Sequence, residues 1–237
     1  VNGQGVWQQK KNLAAALNLP ETAIRVTNPD VGGGFGMKAM DYPEYTVIAA
    51  AARMLGRPVR WMSERTEAML SDNAGRDLGV VAELAFDADH RITAYRVDIL
   101  SNLGAYNSQF GQMIQSELFA KVLTGVYDIP HAHIRSRGIY TNTTQTDAYC
   151  GAGRPAAIYT LERVMDRAAR ELGVDPWALR EQNFIKPAQF PYLTPTGENY
   201  DVGDFARVLA RVKAEADVAG FPARLVASEA AGRLRGL

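Results

Sequence analysis

The sequence predicts an α+β fold, with mixed helices packed on short sheets and a long antiparallel β-hairpin as the main sheet element. Three observations carry this. β-Favouring residues dominate 78–86 and 92–100, on either side of the turn Asp87-Ala88-Asp89-His90. Apolar residues recur at helical spacing at Tyr45, Ile48, Ala49, Ala52 and Leu55, and again at Ile158, Leu161, Met165, Ala168 and Leu172. Glycine-rich stretches at 32–36 and 151–153 each stand before a helical pattern. Helices mixed with an antiparallel pair point to α+β architecture.

The elements follow in order. Val6 to Leu17 reads as a helix with Trp7, Leu13, Ala16 and Leu17 on one face, stopped at Leu19-Pro20. A β-like segment at 23–27 leads into the first glycine run. The helix from about Asp41 to Leu55 has Pro43 in its first turn and Gly56 as its C-terminal cap. Val59 to Met62 reads as a short strand, and Ser63-Glu64-Arg65-Thr66-Glu67 resembles a capping box. The hairpin follows, with His90 solvated at its tip, and Asn102-Leu103-Gly104-Ala105-Tyr106 breaks its second strand. A helical stretch from about Ser116 to Val126 precedes a strand from His131 to about Tyr140. His131 and His133 share one face of that strand, but no carboxylate or thiol stands nearby at metal-ligand spacing, so both read as structural. The second glycine loop opens a helix closed by Gly173, and Asp175-Pro176-Trp177 starts another to about Asn183. Pro187 to Asn199 reads as a loop and Val202 to Val218 as a final amphipathic helix.

Composition narrows the function classes. The 237 residues are 47% hydrophobic and 22% charged, with 26 basic against 26 acidic residues, so nucleic acid and anionic membrane surfaces are not indicated as partners. No window approaches the apolar length of a membrane span. The single cysteine, Cys150, excludes an internal disulfide and fits a reducing, cytoplasmic setting. Val1 is not an initiator and the last residues carry no polar tail, so the expectation is an internal piece of a longer chain.

Asn28-Pro29-Asp30-Val31-Gly32-Gly33-Gly34-Phe35-Gly36-Met37-Lys38 is the most distinctive stretch. Four glycines in five positions permit positive φ and a close backbone approach, with bare N–H groups available to an anion. The dinucleotide fingerprint G-x-G-x-x-G fails, because Met37 or Ala39 stands where the third glycine belongs. The P-loop fails as well, at Met37 and Ala39. Phe35, with few local partners, is expected to pack on a ligand or a distant segment. Gln4 at a helix start, the 32–36 loop and the 148–154 loop all offer neutral donors near helix N-termini. If they converge, they form a cradle for a cofactor bearing oxo or phosphate groups.

Four features in this order resemble the first molybdopterin-binding part of the large subunit of xanthine oxidase/aldehyde oxidase family molybdenum hydroxylases. They are Gln4 ahead of Pro20, the run from Gly32 to Lys38, Asn102-Leu103-Gly104-Ala105-Tyr106, and Ala148-Tyr149-Cys150-Gly151-Ala152-Gly153-Arg154-Pro155. The last is similar to the AYxGAGR motif of form II carbon-monoxide-dehydrogenase-like subunits. The resemblance implies a cofactor site of Gln4, Gly33, Gly34, Phe35, Gly36, Ala148, Tyr149, Cys150, Gly151 and Arg154. Gln4 and Phe35 would lie near molybdenum without ligating it, the ring excluding water. Tyr106, Asn107 and Ala39 would face the substrate. The cofactor implied is molybdopterin cytosine dinucleotide with molybdenum, with [2Fe-2S] and FAD on small and medium partner subunits, in a dimer of heterotrimers. The reaction implied is hydroxylation of a small-molecule substrate, an aldehyde or N-heterocycle, with water as the oxygen source. Residues 1–220 would be the first molybdopterin-binding domain, N-terminally truncated, and 221–237 a linker toward a second one.

The sequence departs from the family where substrate class is set. Purine-oxidising members carry a glutamate where Ala39 stands and an arginine near Asn107, so purines are disfavoured. The cysteine that binds copper in form I enzymes is replaced by Gly151, so a copper–molybdenum centre is not expected. Cys150, one residue away, reads as a buried and inert wall residue. The family's general-base glutamate lies beyond Leu237. Glu64, Glu67, Glu162 and Glu171 read as solvated or ion-paired, so no catalytic residue is assigned and the chain alone is expected to be inactive. A second reading, of a different class, is a non-catalytic cofactor-binding or assembly module.

Overall fold

The computed structural model describes residues 1–236. Helices start and stop where the chain supplies local signals. α1 (Trp7–Leu17) ends at Asn18, whose φ of 51° is a left-handed cap. α2 (Pro43–Leu55) has proline in its first turn and ends at Gly56 with φ 64°. In α3 (Arg65–Ser71) the capping box is present, with Glu64 as N-cap and Glu67 bonding back to the Glu64 N–H at 3.3 Å. β1 (Leu78–Phe86) and β2 (Ile92–Gly104) form the expected hairpin. Asp87 organises its turn, its Oδ1 accepting from the N–H groups of Asp89 (3.0 Å) and Arg91 (2.8 Å). α4 (Gly111–Met113) runs into a π-helical turn at Ile114–Leu118, before β3 (Ala132–Tyr140). α5 (Arg154–Leu172) is the longest helix, and α6 (Pro176–Asn183) is capped by Asp175, whose carboxylate accepts from the Ala178 N–H at 2.7 Å. The short pair β4 (Tyr192–Leu193) and β5 (Asn199–Tyr200), α7 (Phe205–Glu215) and α8 (Phe221–Ala230) complete the described chain. The larger sheet has the order β1-β2-β3. No described helix is long and apolar enough to cross a membrane.

The chain divides into two compact units. The first comprises Val1–Val81, Val97–Val122 and Ile134–Tyr159. Met40, Ile114 and Ala148 are buried together there, with Met37, Tyr42, Phe110, Leu118 and Ala152 against them. The second comprises Ala82–Arg96, Leu123–His133 and Thr160–Leu237. Tyr127 stacks on Phe184 at 5.7 Å between centroids, and Phe205 meets both Phe184 (6.2 Å) and Phe190 (6.0 Å).

Several expectations are corrected. Residues 23–27 and 59–62 have strand-like composition but join no ladder, so they are not strands. β2 is not broken at Asn102; it continues to Gly104, where φ is 80° and a Cβ would lie 2.3 Å from the Gln145 Cα. The helical segment expected at 116–126 lies earlier, and residues 121–126 are turns. The stretch 187–199 is not all loop, since β4 pairs antiparallel with β5. On α1, Trp7 and Ala16 are exposed, while the buried residues are Gln9 and Ala14. The α5 face is Ala157, Leu161, Met165 and Ala169, leaving Ile158 exposed, because steps of four follow the buried stripe from Ala157. α7 is followed by α8 and is therefore not the final helix. His90 is half-buried, not solvated; its φ is 61° and its carbonyl accepts from the Asn183 Nδ2 at 3.0 Å.

Candidate functional site

Gln4 and the two glycine loops converge within the first unit. The Gly36 N–H donates to the Gln4 Oε1 at 2.7 Å, and the Gln4 N–H donates to the Lys38 carbonyl at 2.8 Å. The Gln4 side chain lies over Gly34, where a Cβ would be 2.2 Å from the glutamine Cγ, so only glycine fits there. The second loop docks on the first through its backbone. The Cys150 N–H donates to the Phe35 carbonyl at 2.7 Å, and a Cβ on Gly36 would lie 2.9 Å from the Ala148 carbonyl oxygen. Glycine at 36 is thus required by φ (91°) and by space together.

Both loops hold the conformation that exposes amides. Gly32, Gly33, Phe35 and Gly36 have φ of 68°, 93°, 56° and 91°, and Cys150 to Gly153 have 21°, 101°, 45° and 82°. Among the described residues, the N–H groups of Gly33, Gly34, Phe35 and Gly151 meet no acceptor. The Gln4 Nε2 is likewise a spare donor, because its Oε1 is the atom used by Gly36. Amides gathered by positive-φ residues form a concavity suited to an anion.

The flanks were less legible. The Phe35 ring does have a local partner: it lies over Gly33, whose Cβ would be 2.7 Å from the ring, and it is 66% exposed. Cys150 is exposed, not buried. Its backbone does the packing, the N–H bonding Phe35 and the carbonyl accepting from the Arg76 guanidinium, which leaves the thiol outside. Arg76 also lies over the Tyr149 ring at 4.8 Å and was not singled out from sequence, where nothing marks it. Arg154 begins α5 and closes the loop through its N–H to the Gly151 carbonyl at 3.3 Å. Ala39 is half-buried at the end of the first loop, its N–H on the Gly36 carbonyl at 3.0 Å. Tyr106 is exposed, and the Asn107 Oδ1 accepts from the Gln112 Nε2 at 2.8 Å. The neighbouring Ser108 and Phe110 tie this segment to the second loop's approach, at the Thr146 carbonyl (2.6 Å) and the Asp147 carboxylate (3.1 Å). Asn102 pins the base of that segment, bonding Asp77 (2.8 Å), Thr143 (2.9 Å), Thr141 (2.8 Å) and the Gly104 N–H (2.8 Å). The glutamates are structural: Glu64 and Glu67 cap α3, Glu171 pairs with Arg167 at 2.7 Å, and Glu162 pairs with Arg180 at 2.8 Å.

The family model of the molybdopterin cofactor-binding domain matches residues 1–184. The chain belongs to that family. The chain is similar to the carbon monoxide dehydrogenase large chain of Hydrogenophaga pseudoflava, at 36% identity over 86% of this chain and 25% of that protein. It is also similar to the nicotine 6-hydroxylase large subunit of Paenarthrobacter nicotinovorans, at 33% identity over 96% and 28%. Among solved structures, quinoline 2-oxidoreductase from Pseudomonas putida 86 superposes with a TM-score of 0.88 at 33% identity, over 94% of this chain and 28% of that one. A Cu,Mo-CO dehydrogenase gives 0.87 at 32%, over 97% and 29%. The chain thus spans about a quarter of the length of the relatives it matches. Both the α+β architecture and the resemblance to molybdenum hydroxylase large subunits are borne out. Molybdopterin carries phosphate, and the cradle presents unspent backbone N–H groups and the Gln4 Nε2 beside the cationic Arg76 and Arg154, so the residues present fit the group.

Proposed function

We propose that this chain forms one wall of a molybdopterin site in a molybdenum hydroxylase. The carrying observation is the junction of Gln4, Gly36, Phe35 and Cys150, which sets unspent amides from three separate stretches side by side. In this reading Gly33, Gly34, Phe35 and Gly151 hold the cofactor through backbone N–H groups, while Ala148, Tyr149, Cys150 and Arg154 shape the second loop around it. The Gln4 Nε2 donates to an acceptor on the metal side, and the Phe35 ring shields that side from water. The cofactor supplies two-electron oxidation of a substrate carbon when bound. Tyr106, Asn107 and Ala39 line the substrate side.

Gly151 at the position of the copper-binding cysteine argues against copper-dependent CO oxidation. Relatives named for nicotine and quinoline favour an N-heterocycle, with an aldehyde as the next substrate class. The cytosine-dinucleotide form of the cofactor and electron transfer to [2Fe-2S] and FAD partners in a cytoplasmic assembly belong to the same proposal. So do the domain extent of 1–220, a connection at 221–237 toward a second molybdopterin-binding domain, and inactivity of this chain alone.

The test is metal analysis and turnover of the full-length subunit with its partners. Stoichiometric molybdenum, and oxidation of N-heterocycles or aldehydes with an artificial electron acceptor, are expected. A folded subunit without molybdenum would favour a non-catalytic assembly module.

A further inference from the structure

We propose that Asn28 and Lys38 are positioning residues that fix the register of the segment carrying Gln4. This rests on the reading of Gln4 as a cofactor contact, but the geometry stands without it. The Asn28 side chain brackets a single residue: its Oδ1 accepts from the Gly3 N–H at 3.1 Å, and its Nδ2 donates to the Gly3 carbonyl. A side-chain amide that takes both main-chain groups of one residue imitates a ladder pair and defines which residue sits opposite.

Lys38 closes the other side. Its Nζ donates to the Asn2 Oδ1 at 3.2 Å and to the Val31 carbonyl at 2.7 Å, while its own carbonyl accepts from the Gln4 N–H at 2.8 Å. The ammonium therefore spends its bonds on neutral oxygens within the protein, joining the N-terminal segment to the start of the glycine run.

Gly3 itself locks the register. It is buried, and a Cβ there would lie 2.2 Å from the Gln9 Nε2. Gln9 is 2% exposed, and neither atom of its side-chain amide has a hydrogen-bond partner among the described residues. A slip of one residue in either direction would drive the side chain of Asn2 or Gln4 into the buried Gln9 amide. The register that seats Gly3 is also the one that places the Gln4 Oε1 on the Gly36 N–H.

The experiment is hydrogen exchange of the Gly36 amide in the full-length subunit, with Asn28→Ala, Asn28→Asp, Lys38→Met and Lys38→Arg compared with Gln4→Ala. Exchange at Gly36 should rise about tenfold in Asn28→Ala and Lys38→Met, as in Gln4→Ala, because the acceptor is displaced. Lys38→Arg should restore most of the protection. In a Gln4→Ala background, Asn28→Ala should add nothing further. In the molybdenum-loaded enzyme, Asn28→Ala should lower kcat about 10–100-fold with KM unchanged, the loss typical of a group that orients a metal-side residue. If Asn28→Ala does not fold, Asn28→Asp carries the same test, since it keeps the acceptor and removes the donor. Unchanged Gly36 exchange in a folded Asn28 variant, or additive effects of Asn28 and Gln4, overturns the proposal. Absence of molybdenum in the parent enzyme defeats the functional reading instead, and the exchange result still decides the register.

Discussion

The loops around Gln4 and the helices around Arg180 are held together by opposite means. In the first unit, the 32–36 and 148–154 loops meet through main-chain groups, with positive φ at eight positions. The two aromatic side chains they carry, Phe35 and Tyr149, are exposed. In the second unit, burial and charge do the same task. Arg180 reaches Glu162 (2.8 Å) and Asp166 (2.7 Å), and the Tyr127 hydroxyl donates to Glu162 at 2.8 Å. Burial, followed by the neighbouring Glu162 carboxylate, holds the Tyr127 phenol far above its ordinary range. Backbone-built surfaces leave N–H groups free for a ligand. Side-chain-built ones consume their polar groups internally.

The contrast fails if side-chain additions are tolerated in the loops. The largest expected effect is therefore Gly153→Ala, where φ is 82° and the new Cβ would lie 2.1 Å from the Ile114 carbonyl oxygen in the π-helical turn. A loss of about 3 kcal/mol or more is expected in denaturant unfolding, since rigid backbone must shift. Next is Arg180→Met, which leaves Glu162 and Asp166 without their shared cation, Asp166 keeping only the longer pairing to Arg163 at 3.8 Å. Because both carboxylates are partly solvated, the expected loss is about 1–3 kcal/mol, between surface and buried pairs. A thermal melt that drops less for Arg180→Met than for a surface charge change would show that burial alone holds this unit.

Gln4→Ala sharpens the comparison from the functional side. Stability should change by less than about 1 kcal/mol, the net worth of one hydrogen bond, while turnover of the complete enzyme falls about 10–100-fold. Equal turnover would remove Gln4 from the site. The smallest effect is Asp72→Asn. Burial, then the charge of Glu44, raises the Asp72 carboxyl above 3.8. The folded chain then binds that proton more tightly than the unfolded chain, so stability declines as pH rises through the window above 3.8. Asp72→Asn should be more stable than the parent by a few tenths of a kcal/mol at neutral pH, with no difference below the window. Equal melting curves at pH 7 would sink it.

The sequence showed its helices and hairpin because caps and periodicity are local. The Leu19-Pro20 and Gly56 stops and the Asp175 cap were located from neighbouring residues alone, while the Asn18 cap that ends α1 came from the structure. It showed the glycine loops because only glycine tolerates what Gly34 and Gly36 meet, the Gln4 side chain and the Ala148 carbonyl. Strands at 23–27 and 59–62 were misread because β-propensity says nothing about whether a partner strand exists. The exposure of Cys150 was hidden because it depends on two distant groups, Phe35 and Arg76, that hold its backbone. Asn28 left a faint trace, an Asn-Pro pair before the glycines, but its grip on Gly3 spans 25 residues and no local pattern encodes it.

Phe35 sits at φ 56°, where a non-glycine residue costs on the order of 1 kcal/mol, amid neighbours that are nearly all glycine. Phe35→Gly should therefore make the protein slightly harder to unfold. Screens for thermostable variants of this domain would therefore remove the ring, and with it the shielding that the proposed function assigns to Phe35.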